Sequence, residues 1–281
     1  MITLSKLLRG SQGLPKATCL ILAALFAAAL HSTHAATLYS TGFEDPPFAN
    51  GSELVGQDGW TGVPFLSPSA AIITNSVAKS GLQSVQVRGA DMVDAFQVDP
   101  LAAVGSYRKP LNYDAGTGVP VVHLQADVRL DGNVIGTGDL FSANLAGRSG
   151  DGGNFELSIS SDGMVYGYDN DGIIYSAPIS LNAWHTLGIT IDFAANTQTF
   201  VVDGIPSSPF AFSAGFTSDV LLRESLVALA FPDAGEYKRS DFTAYFDNVS
   251  AESVPESGSS AVLLTFGCLA LMGVYRRQIC S

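Results

Sequence analysis

The chain has 281 residues, of which 47% are hydrophobic and 14% are charged, so it can bury a full core in one large domain or two small ones. Its 26 acidic and 14 basic residues give a net charge of −12, and the Lys and Arg residues form no cluster along the sequence. This balance argues against a nucleic-acid partner, because phosphate backbones are bound by clustered basic residues.

The first 36 residues have the three parts of a secretory signal. Three basic residues within the first 16 precede the apolar run 19–30 (CLILAALFAAAL), and small residues end the segment at Ala35 and Ala36. A signal peptidase recognises this arrangement. The sequence therefore predicts export, with cleavage after Ala35 or Ala36; a buried N-terminal helix is the alternative.

Residues 37–253 are predicted to form strands from end to end. Short segments alternate apolar and polar positions, and Gly, Asp, Asn and Pro separate them at intervals of about 8 to 12 residues, which is typical of an all-β sandwich or barrel. Because no linker precedes Ser253, we expect one domain over 37–253. The predicted strands are 37–43, 71–75, 83–88, 122–130, 139–146, 155–160, 164–168, 173–176, 184–193, 197–204, 220–231 and 242–250, of which 220–231 could instead be a short helix.

The sequence at 184–204 predicts a long hairpin. Alternate apolar residues from Leu187 to Phe193 share one strand face, a short loop containing Asn196 follows, and the returning strand ends at Asp203-Gly204. This pattern resembles the concanavalin A-like lectin/glucanase group, which includes laminin-G-like domains. The resemblance implies an antiparallel jelly-roll sandwich of two sheets. Many members of that group bind glycans, and some hydrolyse them.

Carboxylates near both ends of this domain suggest a metal site. Glu44 follows the first predicted strand, and Asp247 lies in the last one. The first and last strands of a sandwich commonly pair, which would bring the two carboxylates together, and Ca²⁺ prefers oxygen ligands. Their flanking sequences resemble a structural calcium site of jelly-roll carbohydrate-binding modules, which implies Glu44 and Asp247 as ligands. The alternative is a pair of solvated turn carboxylates.

Three aromatic residues are candidates for stacking against sugar rings. Trp60 stands in a polar loop, and Tyr166 and Tyr168 share one face of a predicted strand. Sugars pack their C–H faces on flat aromatic rings, while nearby acidic and amide groups fix the hydroxyls. Ordinary core packing is the alternative for all three.

The sequence offers no recognisable catalytic constellation. The glucanase pattern Glu-x-Asp-x-x-Glu is absent, and Glu156 has no acidic partner two residues further on. Neither His123 nor His185 is accompanied by a Gly-x-Ser-x-Gly motif. We therefore predict a protein without enzymatic activity.

The last 28 residues form a second targeting segment. Val254, Pro255 and Glu256 precede the apolar run 261–275 (AVLLTFGCLALMGVY), which is followed by Arg276-Arg277. This arrangement over 254–281 resembles the PEP-CTERM sorting signal, which implies processing by an exosortase in the cytoplasmic membrane. An ordinary uncut membrane anchor is the alternative.

Processing at both ends would leave a strongly acidic domain. Five basic residues and one acidic residue lie outside 37–254, so the net charge of the remainder is about −16, and all three cysteines lie outside it as well. The sequence thus predicts an exported cell-surface or extracellular-matrix protein with a non-catalytic jelly roll that binds a polysaccharide or exopolysaccharide. A structural or adhesive matrix protein is the first alternative, and a glycoside hydrolase or lyase is the second.

Overall fold

Two antiparallel β-sheets pack against each other across one hydrophobic core. The structure is a computed structural model that describes residues 35–62, 70–92, 103–136, 140–216 and 218–254. The predicted signal sequence up to residue 34, and the predicted sorting segment with Pro255 and Glu256, lie outside the described residues. Within the described ranges, no helix is long and apolar enough to span a membrane.

The first sheet has nine strands in the described part of the chain. They are β1 (Ala36–Thr41), β3 (Ala71–Thr74), β4 (Ser84–Arg88), β6 (Val121–Asp131), β11 (Trp184–Asp192), β12 (Thr197–Val202), β13 (Ile205–Pro206), β14 (Phe210–Ala211) and β16 (Thr243–Ser253). The main order is β13-β12-β11-β6-β16-β4-β3, with β1 paired to β16 and β14 paired to β12.

The second sheet has seven described strands in the order β10-β9-β8-β7-β15-β5-β2. They are β2 (Thr61–Gly62), β5 (Ala103–Asp114), β7 (Phe141–Ser149), β8 (Asn154–Ser160), β9 (Met164–Asp169), β10 (Gly172–Pro178) and β15 (Val220–Ala230). Two short 3₁₀ helices, Gly89–Asp91 and Arg239–Asp241, complete the described regular structure.

The chain crosses between the sheets several times. Strands β5, β6 and β7 lie alternately in the second, first and second sheet, and β15 and β16 lie in different sheets. Such crossings are typical of jelly-roll sandwiches. The prediction of an all-β fold with two antiparallel sheets is confirmed, and Val220–Ala230 is a strand rather than the short helix that the sequence left open.

Alternating side chains build the core as the sequence predicts. The apolar positions of β6 are at most 1% exposed, namely Val122, Leu124, Ala126, Val128 and Leu130. In the predicted hairpin, β11 buries its apolar face against β12, and Asp203 and Gly204 turn the chain from β12 into β13 with φ angles of 50° and 78°. An Asp-Gly pair suits this turn because both positions need positive φ.

The sequence did not predict β5. Its segment AVGSYRKPLNYD contains two adjacent basic residues and Pro110, which interrupt the apolar–polar alternation. Pro110 lacks a backbone N–H, and it faces β15 at an irregularity of the register between Leu221 and Arg223. The strand therefore exists because the sheet accommodates the proline at a bulge.

The two ends of the described chain lie side by side. Ala36 pairs with Ser253 in the β1–β16 ladder, and the backbone N–H of Val254 donates to the carbonyl oxygen of Val121. Ala35 and Ala36 are both exposed. Residues Ala35–Val254 form one compact unit.

Candidate functional site

The predicted metal ligand Glu44 lies in the loop that follows β1. Its Oε1 atom accepts hydrogen bonds from the backbone N–H groups of Leu82 (2.8 Å) and Gln83 (3.1 Å). A carboxylate that accepts two backbone N–H groups fixes the segment that donates them. Glu44 therefore holds one end of the loop between β3 and β4.

The second predicted ligand, Asp247, holds the other end of the same loop. Its Oδ2 atom accepts from the N–H groups of Lys79 (2.9 Å) and Ser80 (3.1 Å), and its Oδ1 atom accepts from Asn248 (2.7 Å). Burial raises the pKa of Asp247 above its usual value, although these hydrogen bonds favour the ionised form. Both carboxylates thus converge on residues 79–83.

The oxygens at this loop match the chemistry of a calcium site in part. A Cβ atom on Gly42 would lie 3.6 Å from Asn248 Oδ1, 3.9 Å from Asp247 Oδ1 and 4.0 Å from Glu44 Cγ, so three oxygen-bearing side chains surround this glycine. Hard cations prefer such oxygen donors. However, no group of three or more His, Cys, Asp or Glu in the described residues is placed to hold a metal ion.

Trp60 is a core residue, and the prediction of an exposed sugar-stacking ring at this position is wrong. The side chain is 1% exposed. Its Nε1–H donates to Tyr39 Oη at 2.9 Å, and its ring packs on Phe43 and edge-on to Tyr39. A buried indole needs a partner for its N–H, and Tyr39 supplies it inside the fold.

Tyr166 and Tyr168 lie together on β9, half-buried, on the face of the second sheet that points away from the core. Their neighbour Val165 is buried, and a Cβ on Gly167 would collide with the core ring of Phe200, so the opposite face of the strand carries the two tyrosines. The ring centroids are 6.2 Å apart with a tilt of 54°. Tyr166 Oη donates to Asp162 Oδ2 at 2.7 Å.

A network of polar side chains lies on the same face beside the tyrosines. In the β8–β9 ladder, Glu156 is opposite Tyr168 and Ser158 is opposite Tyr166. Asn144 of β7 donates to Glu156 Oε1, and its own Oδ1 accepts from Ser158 Oγ at 2.9 Å. Alternation in the segment NFELSIS could have placed Glu156 and Ser158 on this face, but the sequence gave no sign of Asn144 as their partner.

Glu156 is the carboxylate at the centre of this network. Burial raises its pKa above the usual value, whereas hydrogen bonds from Asn154 and Asn144 favour the ionised form. Its direct neighbours on the flanking strands are Ala146 and Tyr168, neither of which is an acid. The site therefore offers hydrogen-bond acceptors and donors for hydroxyl groups on a single sheet face.

A second constellation, which the sequence did not reveal, joins a serine, a histidine and an aspartate. His185 Nδ1 lies 2.7 Å from Asp203 Oδ2, and His185 Nε2 lies 3.0 Å from Ser180 Oγ. Nε2 also lies 2.9 Å from the carbonyl oxygen of Ser180. A nitrogen that faces a carbonyl oxygen must carry a hydrogen, so this nitrogen acts as a donor and not as the base that a nucleophilic serine requires.

This histidine connects two turns instead. Burial raises the pKa of Asp203, but hydrogen bonds from His185 and from the Thr186 N–H outweigh it and hold the pKa below its usual value. The ionised Asp203 thus links the turn after β12 to the start of β11 and, through His185, to the segment after β10. We read the cluster as a structural clasp.

Comparisons with known proteins give no family. No family model matches the sequence, and no curated protein matches it. Among solved structures, the Emp47p carbohydrate recognition domain is similar with a TM-score of 0.49 and 10% identity, over 79% of this chain and 98% of that one. A GH131 β-glucanase catalytic domain from Podospora anserina has a TM-score of 0.44 and 13% identity, over 77% and 92% of the two chains. A sialidase has a TM-score of 0.42 and 11% identity over 72% of this chain, which spans 17% of the sialidase.

Proposed function

We propose that this protein binds carbohydrate, without catalysis, on the outer face of the second sheet. The observation that carries the proposal is the position of Tyr166 and Tyr168 directly beside Glu156 and Ser158 on that face. Two adjacent aromatic rings offer apolar surfaces for sugar C–H groups, and a carboxylate with amide and hydroxyl neighbours offers partners for sugar hydroxyls.

The surroundings of Glu156 support binding rather than hydrolysis. A retaining glycosidase needs two carboxyl groups about 5 to 5.5 Å apart, which neighbouring positions on adjacent strands can supply. The positions beside Glu156 hold Ala146 and Tyr168 instead. Glu156 is also engaged by Asn144 and Asn154, an arrangement suited to a fixed acceptor.

The proposal extends to the address of the protein and to a metal. The signal segment up to Ala35 or Ala36 would direct export, and the segment from Val254 through Pro255 and Glu256 would be the substrate of an exosortase. The protein would then act at the cell surface or in the extracellular matrix, next to polysaccharide or exopolysaccharide. A structural Ca²⁺ would be held by Glu44 and Asp247, with the Asn248 Oδ1 atom nearby, and would stiffen the loop that these residues already hold.

Glycan binding is tested with the full-length protein, purified in a mild detergent, against immobilised neutral and acidic polysaccharides. We expect binding to at least one polysaccharide, and we expect Tyr168→Ala to weaken it about tenfold, which corresponds to about 1.4 kcal/mol of binding free energy. Tyr166→Ala should have a similar effect, because both rings lie on the proposed surface.

Tyr237→Ala is the matched control, because Tyr237 is 36% exposed and lies in the loop between β15 and β16, away from β9. Its binding should equal that of the unmodified protein. A folded protein that binds none of the polysaccharides would refute the proposed function and favour a structural or adhesive matrix protein. Equal binding by the Tyr168→Ala and unmodified proteins would refute the proposed surface.

A further inference from the structure

Three arginines that are far apart in the sequence meet on the outer face of the second sheet. Arg148 ends the outer face of β7 and is directly opposite Arg223 of β15, while Arg108 of β5 is opposite Ser225, two positions along β15 from Arg223. The core side of β7 carries Leu145 and Gly147, so Arg148 points to the opposite face. Arg148 is exposed, and the other two are half-buried.

These arginines repel one another. Burial lowers the pKa of Arg223, and the charges of Arg108 and Arg148 lower it further. Burial and the charge of Arg148 likewise lower the pKa of Arg108. Like charges placed directly opposite each other on adjacent strands destabilise a sheet. The fold therefore maintains a concentration of positive charge at a cost to its own stability.

No carboxylate in the described part of the chain compensates this charge. The ion pairs there engage other basic residues, namely Arg88, Lys109, Arg129, His185 and Lys238. The Nε atom of Arg108 is buried and has no hydrogen-bond partner. In a domain with a net charge of about −16, three uncompensated guanidinium groups on one face are a local exception that an anionic ligand would explain.

The arginines continue the proposed sugar-binding surface. Arg148 is opposite Asn154 in the β7–β8 ladder, and the amide of Asn154 donates to Glu156 Oε2 at 3.1 Å. The face thus runs from the tyrosines of β9, through the amides and Glu156, to the guanidinium groups of β7 and β15. A chain of sugar rings laid across these strands would meet aromatic, hydrogen-bonding and cationic groups in turn.

We propose that the ligand is an acidic polysaccharide of the uronic-acid class, whose carboxylates are bound by Arg148 and Arg223 with Arg108 beside them. A guanidinium group pairs with a carboxylate through two parallel hydrogen bonds, which makes arginine suited to this group. Glu156 accepts hydroxyl hydrogens from the same polymer. This inference rests on the proposed function and names its ligand class.

The test compares polygalacturonate with its fully methyl-esterified form, which has the same sugar backbone without the negative charges. We expect the full-length protein to bind polygalacturonate about tenfold more tightly, the effect of one charge-assisted hydrogen bond. Arg148→Gln and Arg223→Gln should each reduce this preference, and raised salt should weaken it because exposed charges are screened. Arg88→Gln, which removes an exposed arginine of the first sheet, should leave the preference unchanged.

Thermal unfolding of each variant establishes that it is folded. Equal affinity for the charged and esterified polymers, or a preference that survives both Arg148→Gln and Arg223→Gln, would refute the uronate inference. Binding to neutral polysaccharides alone would refute it while leaving the proposed function intact. The absence of binding to every polysaccharide would refute both.

Discussion

Glu224 lies in an environment that disfavours its charge. It is fully buried on the core side of β15, and neither of its carboxyl oxygens has a hydrogen-bond partner. The residues opposite it are Gly147 and Lys109, and the Lys109 Nζ atom is engaged by Asp58 instead. Burial raises the pKa of Glu224 well above its usual value, so the folded protein holds this group in its neutral form at ordinary pH.

Glu224→Gln should therefore stabilise the protein, and more so at higher pH. The raised pKa means that the folded state keeps a proton which the unfolded state releases above its own lower pKa, so stability falls as the pH rises through that window. A neutral amide removes this loss. We expect the melting temperature of the variant to exceed that of the unmodified protein by about 4 °C at pH 8, a change of about 1 to 2 kcal/mol for a domain of this size.

The difference in melting temperature should shrink toward pH 4, where the carboxyl group is protonated in both states. Glu236→Gln, at an exposed position, should not change the pH dependence of unfolding. A Glu224→Gln variant that differs from the unmodified protein equally at all pH values would show that ionisation of this carboxyl group does not determine the effect.

At the site, the sequence predicted some residues for clear physical reasons and missed others. Alternation in β9 was enough to place Tyr166 and Tyr168 on one face, because a strand has a period of two. Trp60 could not be placed in this way, since it precedes the two-residue strand β2 and its burial depends on Tyr39 and Phe43 from another part of the chain. Local polarity predicted exposure there, and a tertiary contact determined burial.

At the scale of elements, the connection between β3 and β4 depends on two carboxylates from distant strands. Glu44 and Asp247 accept four backbone N–H groups from residues 79–83, and β1 pairs with β16 so that both carboxylates reach the same loop. The sequence predicted this meeting from the usual pairing of first and last strands. It could not predict the loop, because the loop has no side-chain pattern of its own.

If Ca²⁺ also binds at this connection, removing it should lower stability. We expect saturating Ca²⁺, at about 100 times its dissociation constant, to raise the melting temperature by about 5 to 10 °C relative to EDTA. Glu44→Gln should abolish that increase, since the amide still accepts the N–H groups of Leu82 and Gln83 but carries no charge for the metal.

Glu236→Gln is the control for a general effect of removing one carboxylate, and it should keep the full increase in melting temperature. Mg²⁺ should stabilise less than Ca²⁺, because it demands a smaller and more regular shell of oxygens. An identical melting temperature in Ca²⁺ and EDTA would refute the calcium proposal and leave the carboxylates as anchors of the loop alone.

The arginine cluster marks the limit of prediction from sequence at this scale. Arg148 and Arg223 become neighbours only through the register of β7 and β15, and Arg108 belongs to β5, which the sequence pattern did not identify as a strand. The overall composition argued against clustered basic charge, and along the chain this was correct. The fold concentrates the few basic residues of the domain in space.

For the whole molecule, the sequence predicted the architecture better than the ligand. Period-two alternation, turn residues at regular intervals and the hairpin of β11 and β12 are local features, and together they require two packed sheets to bury their apolar faces. The ligand depends on which strands are neighbours, and neighbours in a sandwich are often far apart in sequence. Fold class could therefore be predicted and the binding face could not.

The last prediction concerns the mature ends of the molecule. Ala36 is the first residue of β1 and pairs with Ser253, so cleavage after Ala35 preserves the ladder, whereas cleavage after Ala36 removes only its last pair. We expect the intact mass and N-terminal sequence of the exported protein to begin at Ala36 or Thr37.

A chain that ends at Val254 is the control for the sorting segment. It should have the same new N-terminus, and it should be found in the medium, because it lacks the apolar run 261–275. An exported protein that keeps residues 1–34 would refute the signal sequence. Equal membrane association of the two chains would refute the sorting segment, because the strongly acidic remainder has little reason to associate with an anionic lipid surface.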